Sequence, residues 1–168
     1  MESNSTSPMR EFLKSVLPTM LAVITLDLAA KFIVNSMMQV HDPLPVIGNV
    51  FRLHLTYNEG VAFGLLASQG SWVIVVNILA MLGLAIWGFR TLTATQSATI
   101  PKVALAILLG AALSNLVDRI YDGRVTDFLD LGIGAYRWPI FNLADVFILV
   151  SVALLLWSSY KAETQSET

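Results

Sequence analysis

From residue 71 to residue 89 the chain runs nineteen residues without a charged side chain. At 1.5 Å per residue a helix of that length covers about 28 Å, close to the ~30 Å hydrocarbon core of a bilayer. Three further apolar runs cover about 15–34, 103–120 and 141–160. In lipid each segment must satisfy its own backbone polar groups, so such runs are read as spanning helices. Composition agrees, because 55% hydrophobic and 13% charged residues are the proportions of an integral membrane domain rather than of a soluble one. The expected fold class is therefore a mostly α membrane protein, one domain over 1–168, with four transmembrane helices. Its outer loops are 35–70 and 121–140, its polar tails 1–14 and 161–168, and its loops are expected to form a small β-rich extracytoplasmic cradle.

Several classes fall away at once. A net charge of −2 offers no basic footprint for nucleic acid. The chain has no cysteine, which removes disulfides, thiolate metal sites and cysteine nucleophiles. His41 and His54 stand thirteen positions apart with no ligand pattern beside them, so no metal is expected and both are read as solvent-facing. No histidine follows residue 54, which leaves no serine–histidine pair. The first apolar run lacks a small-residue cleavage pattern near 28–30 and continues past it, so it is expected to be a retained span.

The polar residues inside this frame are few and placed in groups. Asp27 and Lys31 are four apart in the first run, acid before base, on one helix face. They form either a structural ion pair or a direct contact to substrate. Residues 51–58 alternate, with Phe51, Leu53, Leu55 and Tyr57 on one side and Arg52, His54, Thr56 and Asn58 on the other, the period of a half-buried strand. Asn58, Glu59 and Gly60 then read as a turn. In the third run Gly110, Ala111, Ala112 and Ser114 offer a small-residue face for close helix approach, and the helix is expected to stop at Gly123. Asn115, Asp118 and Arg119 follow on one polar face, which also fits a plain helix exit at the membrane surface. Asn142 and Asp145 share the first turns of the last run, where a helix N-terminus favours negative charge.

Four spans put both termini on one side. The Lys and Arg balance, five on the terminal side against four opposite, leans toward cytoplasmic termini. Asp27 then lies about 18 Å along the first helix, in the outer half. Asn58, Asn115, Asp118, Asp127, Asn142 and Asp145 belong to that same outer level.

Carboxylates are the remaining candidates for chemistry. Two of them brought close in a low-dielectric site cannot both ionise easily, so one keeps a proton while the other activates water. Asp127 and Asp145 flank the second outer loop and are the candidate pair. A proton- or cation-coupled transporter or channel subunit is the alternative, which would string its acids along a path through the bilayer. A non-catalytic assembly protein is a third possibility, and would tolerate Asn at 127 or 145.

Five ordered elements now bear on the choice: Asp27 with Lys31; Asn58-Glu-Gly60-Val-Ala-Phe63; Asn115-Leu-Val-Asp118-Arg119; Gly123-Arg-Val-Thr-Asp127-Phe128; and Phe141-Asn142-Leu-Ala-Asp145. In this order, over about 16–160, they resemble the bacterial lipoprotein signal peptidases, signal peptidase II. The resemblance implies an aspartic endopeptidase whose catalytic residues are Asp127 and Asp145. Asn58, Gly60, Asn115, Arg119 and Asn142 would support or bind substrate, and Asp27, Lys31 and Asp118 would hold the bundle. It implies a diacylglyceryl-modified prolipoprotein as substrate, cut just before the lipidated cysteine. It also implies no cofactor, binding of membrane lipid and of globomycin-type cyclic peptides, a monomer, and a multi-pass place in the bacterial inner membrane with the site near the outer leaflet. The chain departs from the family pattern at Leu28, usually Gln, and at Ala111 and Ser114, usually Gly. Each added side chain at 111 or 114 would push a packed helix outward or require a compensating change.

Overall fold

The computed structural model describes residues 8–59, 71–94 and 99–166. Helix α1 is Pro8–Met37, α2 Ser71–Ala94, α3 Thr99–Asp122 and α4 Leu143–Ser166. Three segments among the described residues are long and apolar enough to cross a membrane: Met9–Met37, Thr99–Asp122 and Leu143–Thr164. The apolar part of α2, Ile74–Arg90, is shorter.

Helix α3 is the spine of the bundle. It packs on α1, α2 and α4, whereas α2 and α4 lean on it and barely meet each other. Its small residues explain this. A side chain at Gly110 would come 2.8 Å from the backbone oxygen of Met20, so α1 and α3 approach backbone to backbone there. The next residue, Ala111, packs against Val23 and Ala144, joining α1, α3 and α4.

Helix α1 starts earlier than the apolar run suggests, and residues 8–14 belong to it rather than to a loose tail. The reason is Phe12, which is buried with Val16, Leu105 and Leu109 and meets Phe89 edge-on at 5.5 Å between ring centres. Residues 161–166 likewise extend α4. Helix α3 ends where expected: Gly123 takes a positive φ of 71°, and its N–H donates to Arg119 O at 3.0 Å.

The outer loops build one antiparallel sheet in the order β1-β2-β3-β4, with β1 Leu44–Ile47, β2 Phe51–Asn58, β3 Val125–Ile133 and β4 Tyr136–Arg137. Val34 of α1, Leu55 of β2 and Phe128 of β3 form the buried cluster that seats the sheet on the helices. The pairing of β2 with β3 contains a bulge. Leu53 faces Leu129 and Thr56 faces Asp127, so β2 spends three residues where β3 spends two, and the side-chain alternation inverts beyond that point.

Candidate active site

Strand β3 delivers the first carboxylate. Val125, Asp127 and Leu131 line a cavity of about 560 Å3, while Asp130, three residues on, faces the other way. The bulge brings Asn58 onto the face of Asp127, and Asn58 Nδ2 donates to Asp127 Oδ2 at 3.2 Å. Unbroken alternation would have placed Tyr57 there.

Helix α4 delivers the second. Asn142 is its N-cap: Asn142 Oδ1 accepts the Asp145 N–H at 3.0 Å, and Asp145 Oδ2 accepts the Asn142 N–H at 3.1 Å. This is a capping box built from Asn and Asp, which satisfies two end amides and fixes the Asp145 rotamer in one motif. The same Asn142 donates from Nδ2 to Asp127 Oδ1 at 2.7 Å. One asparagine therefore touches both acids.

A buried charge network backs the pair. Lys31 Nζ uses its three protons on Asp27 at 2.6 Å, Asp118 at 2.9 Å and Asn115 Oδ1 at 2.8 Å. Asn115 Nδ2 reaches Asp145 Oδ1 at 3.4 Å, and its Oδ1 also accepts from Asn142 Nδ2 at 3.1 Å. Asp27 is fully buried. Its second oxygen accepts the backbone N–H of Ala144 at 2.8 Å, another end amide of α4. Asp118 accepts the Thr126 N–H at 3.2 Å and so ties the end of α3 to the start of β3. Arg119 lines the cavity with both acids and donates to Asn115 O at 3.3 Å.

Burial and the neighbouring charge of Asp145 push the Asp127 carboxyl up to about 6, against the lowering effect of the Asn142 and Asn58 hydrogen bonds and of Lys31. Outside this pair the cavity wall is mostly apolar, formed by Ala112, Leu131, Trp138, Pro139, Ile148 and Leu149 among others.

Against known proteins, the family model described as "Signal peptidase (SPase) II" matches residues 19–161. A protein of Moorella thermoacetica named lipoprotein signal peptidase is 39% identical over 137 residues, which cover 82% of this chain and 87% of that one. The chain belongs to the signal peptidase II family. A lipoprotein signal peptidase of Neisseria meningitidis is 36% identical over 148 residues, 88% of this chain and 90% of that one. Among solved structures, a bacterial membrane enzyme determined by the in meso method at 2.3 Å resolution superposes with a TM-score of 0.77 at 26% identity, covering 92% of each chain.

Most of the residues nominated from the sequence lie together in the structure. Asp27, Lys31, Asn58, Asn115, Asp118, Arg119, Asp127, Asn142 and Asp145 form one connected set, and Gly60 lies outside the described residues. The histidines take no part. His41 is exposed, but His54 sits partly buried on β2 with Nδ1 3.5 Å from Asp130. Among the described residues no group of three His, Asp or Glu is arranged to hold a metal ion.

Ser114, expected from the resemblance to stand where the family usually has Gly, is accommodated locally. Ser114 is fully buried, and its Oγ donates to Asp27 Oδ2 at 2.7 Å, so the extra side chain makes a bond rather than a clash. Asp130, which no motif marks in the sequence, is buried between Arg52 and Arg137. Burial would push Asp130 up, but the hydrogen bonds and charges of the two arginines outweigh it and hold the carboxyl below the usual range. Its signal was present in the sequence, since period two on β3 places Asp130 opposite Asp127 and toward a neighbour such as Arg52.

Proposed function

We propose that the chain is the lipoprotein signal peptidase of its cell and works as an aspartic endopeptidase, with Asp127 and Asp145 as its catalytic pair. It removes the signal peptide of diacylglyceryl-modified prolipoproteins just before the lipidated cysteine. One carboxyl, protonated, hydrogen-bonds the scissile carbonyl oxygen while the other, ionised, takes a proton from the attacking water. Oxygen adds to the carbonyl carbon, and the tetrahedral intermediate collapses as the C–N bond breaks and the leaving amine takes a proton from the pair. The observation that carries this reading is Asn142, bonded to both acids at the edge of one cavity. Arg119 and Asn115 complete its polar end, and the apolar wall suits a lipid-bearing segment.

In this reading α2 is a fourth span, both termini are cytoplasmic, and the cavity opens at the outer leaflet. The five cations on the terminal side against four at the sheet end support that orientation. The chain acts as a monomer, and globomycin-type peptides occupy the same cavity.

Single Asp127→Asn and Asp145→Asn variants, assayed on lipidated prolipoprotein in vesicles, test the pair. Each is expected to lose about a thousandfold or more in turnover. Near-parental cleavage by either one ends the proposal.

A further inference from the structure

The turns of the two hairpins lie side by side at the end of the sheet away from Asn58. Gly132 N–H donates to Val50 O at 3.0 Å, and Arg137 Nη1 donates to Asn49 O at 2.8 Å. The β1–β2 and β3–β4 turns are thus stapled into one tip. Its chemistry is unusual for a water-facing turn, because residues 43–51 and 131–136 carry no charged side chain. Ile47, Ile133 and Tyr136 are 65%, 76% and 89% exposed, with Val46 and Val50 beside them. Edge strands and turns that face water are normally guarded by charge, and contiguous exposed apolar groups mark a contact surface. Charge lies just behind the tip, where the partly exposed Arg52 and Arg137 meet on one buried Asp130 and leave a net positive centre.

The cavity shows where this tip sits in depth. Leu131 and Trp138, which flank it in sequence, line the same cavity as Ile148 and Leu149. Leu149 is six residues past Leu143, about 9 Å along α4, inside an apolar spanning segment. The cavity therefore runs from the base of the tip to the apolar part of α4.

We propose that the two-hairpin tip is an interfacial lipid anchor. Ile47, Val50, Ile133 and Tyr136 enter the boundary between acyl chains and headgroups, and Arg52 and Arg137 lie at the phosphate level, the arrangement of an amphipathic surface anchor. Resting on the function proposed above, the consequence is that the Leu131 and Trp138 side of the cavity opens into lipid. The acyl chains of a lipidated substrate then reach the site without crossing water.

The absence of cysteine makes a direct test practical. The full chain carrying Ile133→Cys, Tyr136→Cys or, as control, Asp42→Cys is labelled with a polarity-sensitive nitrobenzoxadiazole dye and placed in phosphatidylethanolamine and phosphatidylglycerol vesicles. Positions 133 and 136 are expected to emit at shorter wavelength than position 42. They should also be quenched at least about twofold more by nitroxides placed shallowly on the lipid chains. Emission and quenching equal to the control overturn the anchor. So does cross-linking of Val46→Cys between two copies in vesicles, which would assign the edge strand to self-association. The dye readout needs no catalysis, so the anchor can fail while the peptidase stands, and the reverse. As a second arm, Ile133→Glu is expected to raise KM for lipidated substrate in vesicles about tenfold with kcat unchanged, whereas an unchanged KM counts against the anchor.

Discussion

Asn142 and Asp145 hold each other by two reciprocal hydrogen bonds, 3.0 Å from the Asp145 N–H to Asn142 Oδ1 and 3.1 Å from the Asn142 N–H to Asp145 Oδ2. The motif that starts α4 thus also aims one carboxyl, and the free amide of Asn142 aims the other. Asn142→Ala is expected to lower kcat about a hundredfold, the scale of a 1 Å misplacement, while KM changes little. Loss of the cap should cost about 1 kcal/mol of stability. Asn142→Asp separates the two roles, since it keeps the capping oxygen but turns an acceptor toward Asp127. It should turn over as poorly as the alanine variant and, because a buried acceptor then meets Asp127 and the Asn115 amide oxygen, melt below the parent at neutral pH and recover part of that loss as pH falls. Steady-state kinetics and thermal melting in detergent measure both.

The raised Asp127 carboxyl carries a sign for stability. Its folded value, about 6, lies above the ordinary 3.8, so the folded chain holds this proton more tightly than the unfolded one. The contribution is complete below the ordinary value and is lost as pH rises through that window. Melting temperature should fall from pH about 4 to about 6, and Asp127→Asn should flatten that part of the curve. Asn58→Ala removes a hydrogen bond that favours the ionised form, so the alkaline limb of kcat/KM should move to higher pH.

Lys31 compensates two acids at once, the buried Asp27 and the partly buried Asp118. Lys31→Met leaves both without their cation, and breaking one side of such a pair costs about 3–5 kcal/mol. Denaturant unfolding in detergent should register that loss. Adding Asp27→Asn to Lys31→Met should recover part of it, because one of the stranded charges is then gone.

Ser114 donates to an Asp27 oxygen that also receives Lys31, while the other Asp27 oxygen holds the Ala144 amide. Hydrogen bonds to a charged group contribute about 1.5–3 kcal/mol, so Ser114→Ala should destabilise by that order. A Ser114→Ala chain that melts like the parent would mean that the buried bond contributes nothing.

How far the sequence disclosed this arrangement depends on the range of the interaction. Helices were legible because hydropathy acts over a whole segment, and β2 because its alternation is strong. Yet alternation put Asn58 on the side of Arg52 and His54, and the bulge after Leu53 reversed it. A one-residue irregularity leaves no period to read. Asn142 and Asp145 were legible as neighbours on a helix start, but the capping box was not. The partnership of Asp127 with Asn142 depends on how the second outer loop closes, which local pattern does not encode. Helix α1 began seven residues early because Phe12 found Phe89, a contact between segments far apart in the chain. Ser114 reads in the sequence only by its size at a helix contact, since its oxygen gains meaning from a carboxylate 87 residues away.

The close seam between Met20 and Gly110 decides which flank of the bundle can give way. Widening the α1 side means parting two main chains that already touch, with the Lys31 network above them. On the opposite flank α2 and α4 are held mainly by their separate grips on α3, so either can tilt without tearing the other loose. On the function proposed above, a guest segment arriving sideways from the bilayer would meet a fixed wall on one hand and a yielding one on the other, and accommodation to peptides of different girth would fall to the yielding flank.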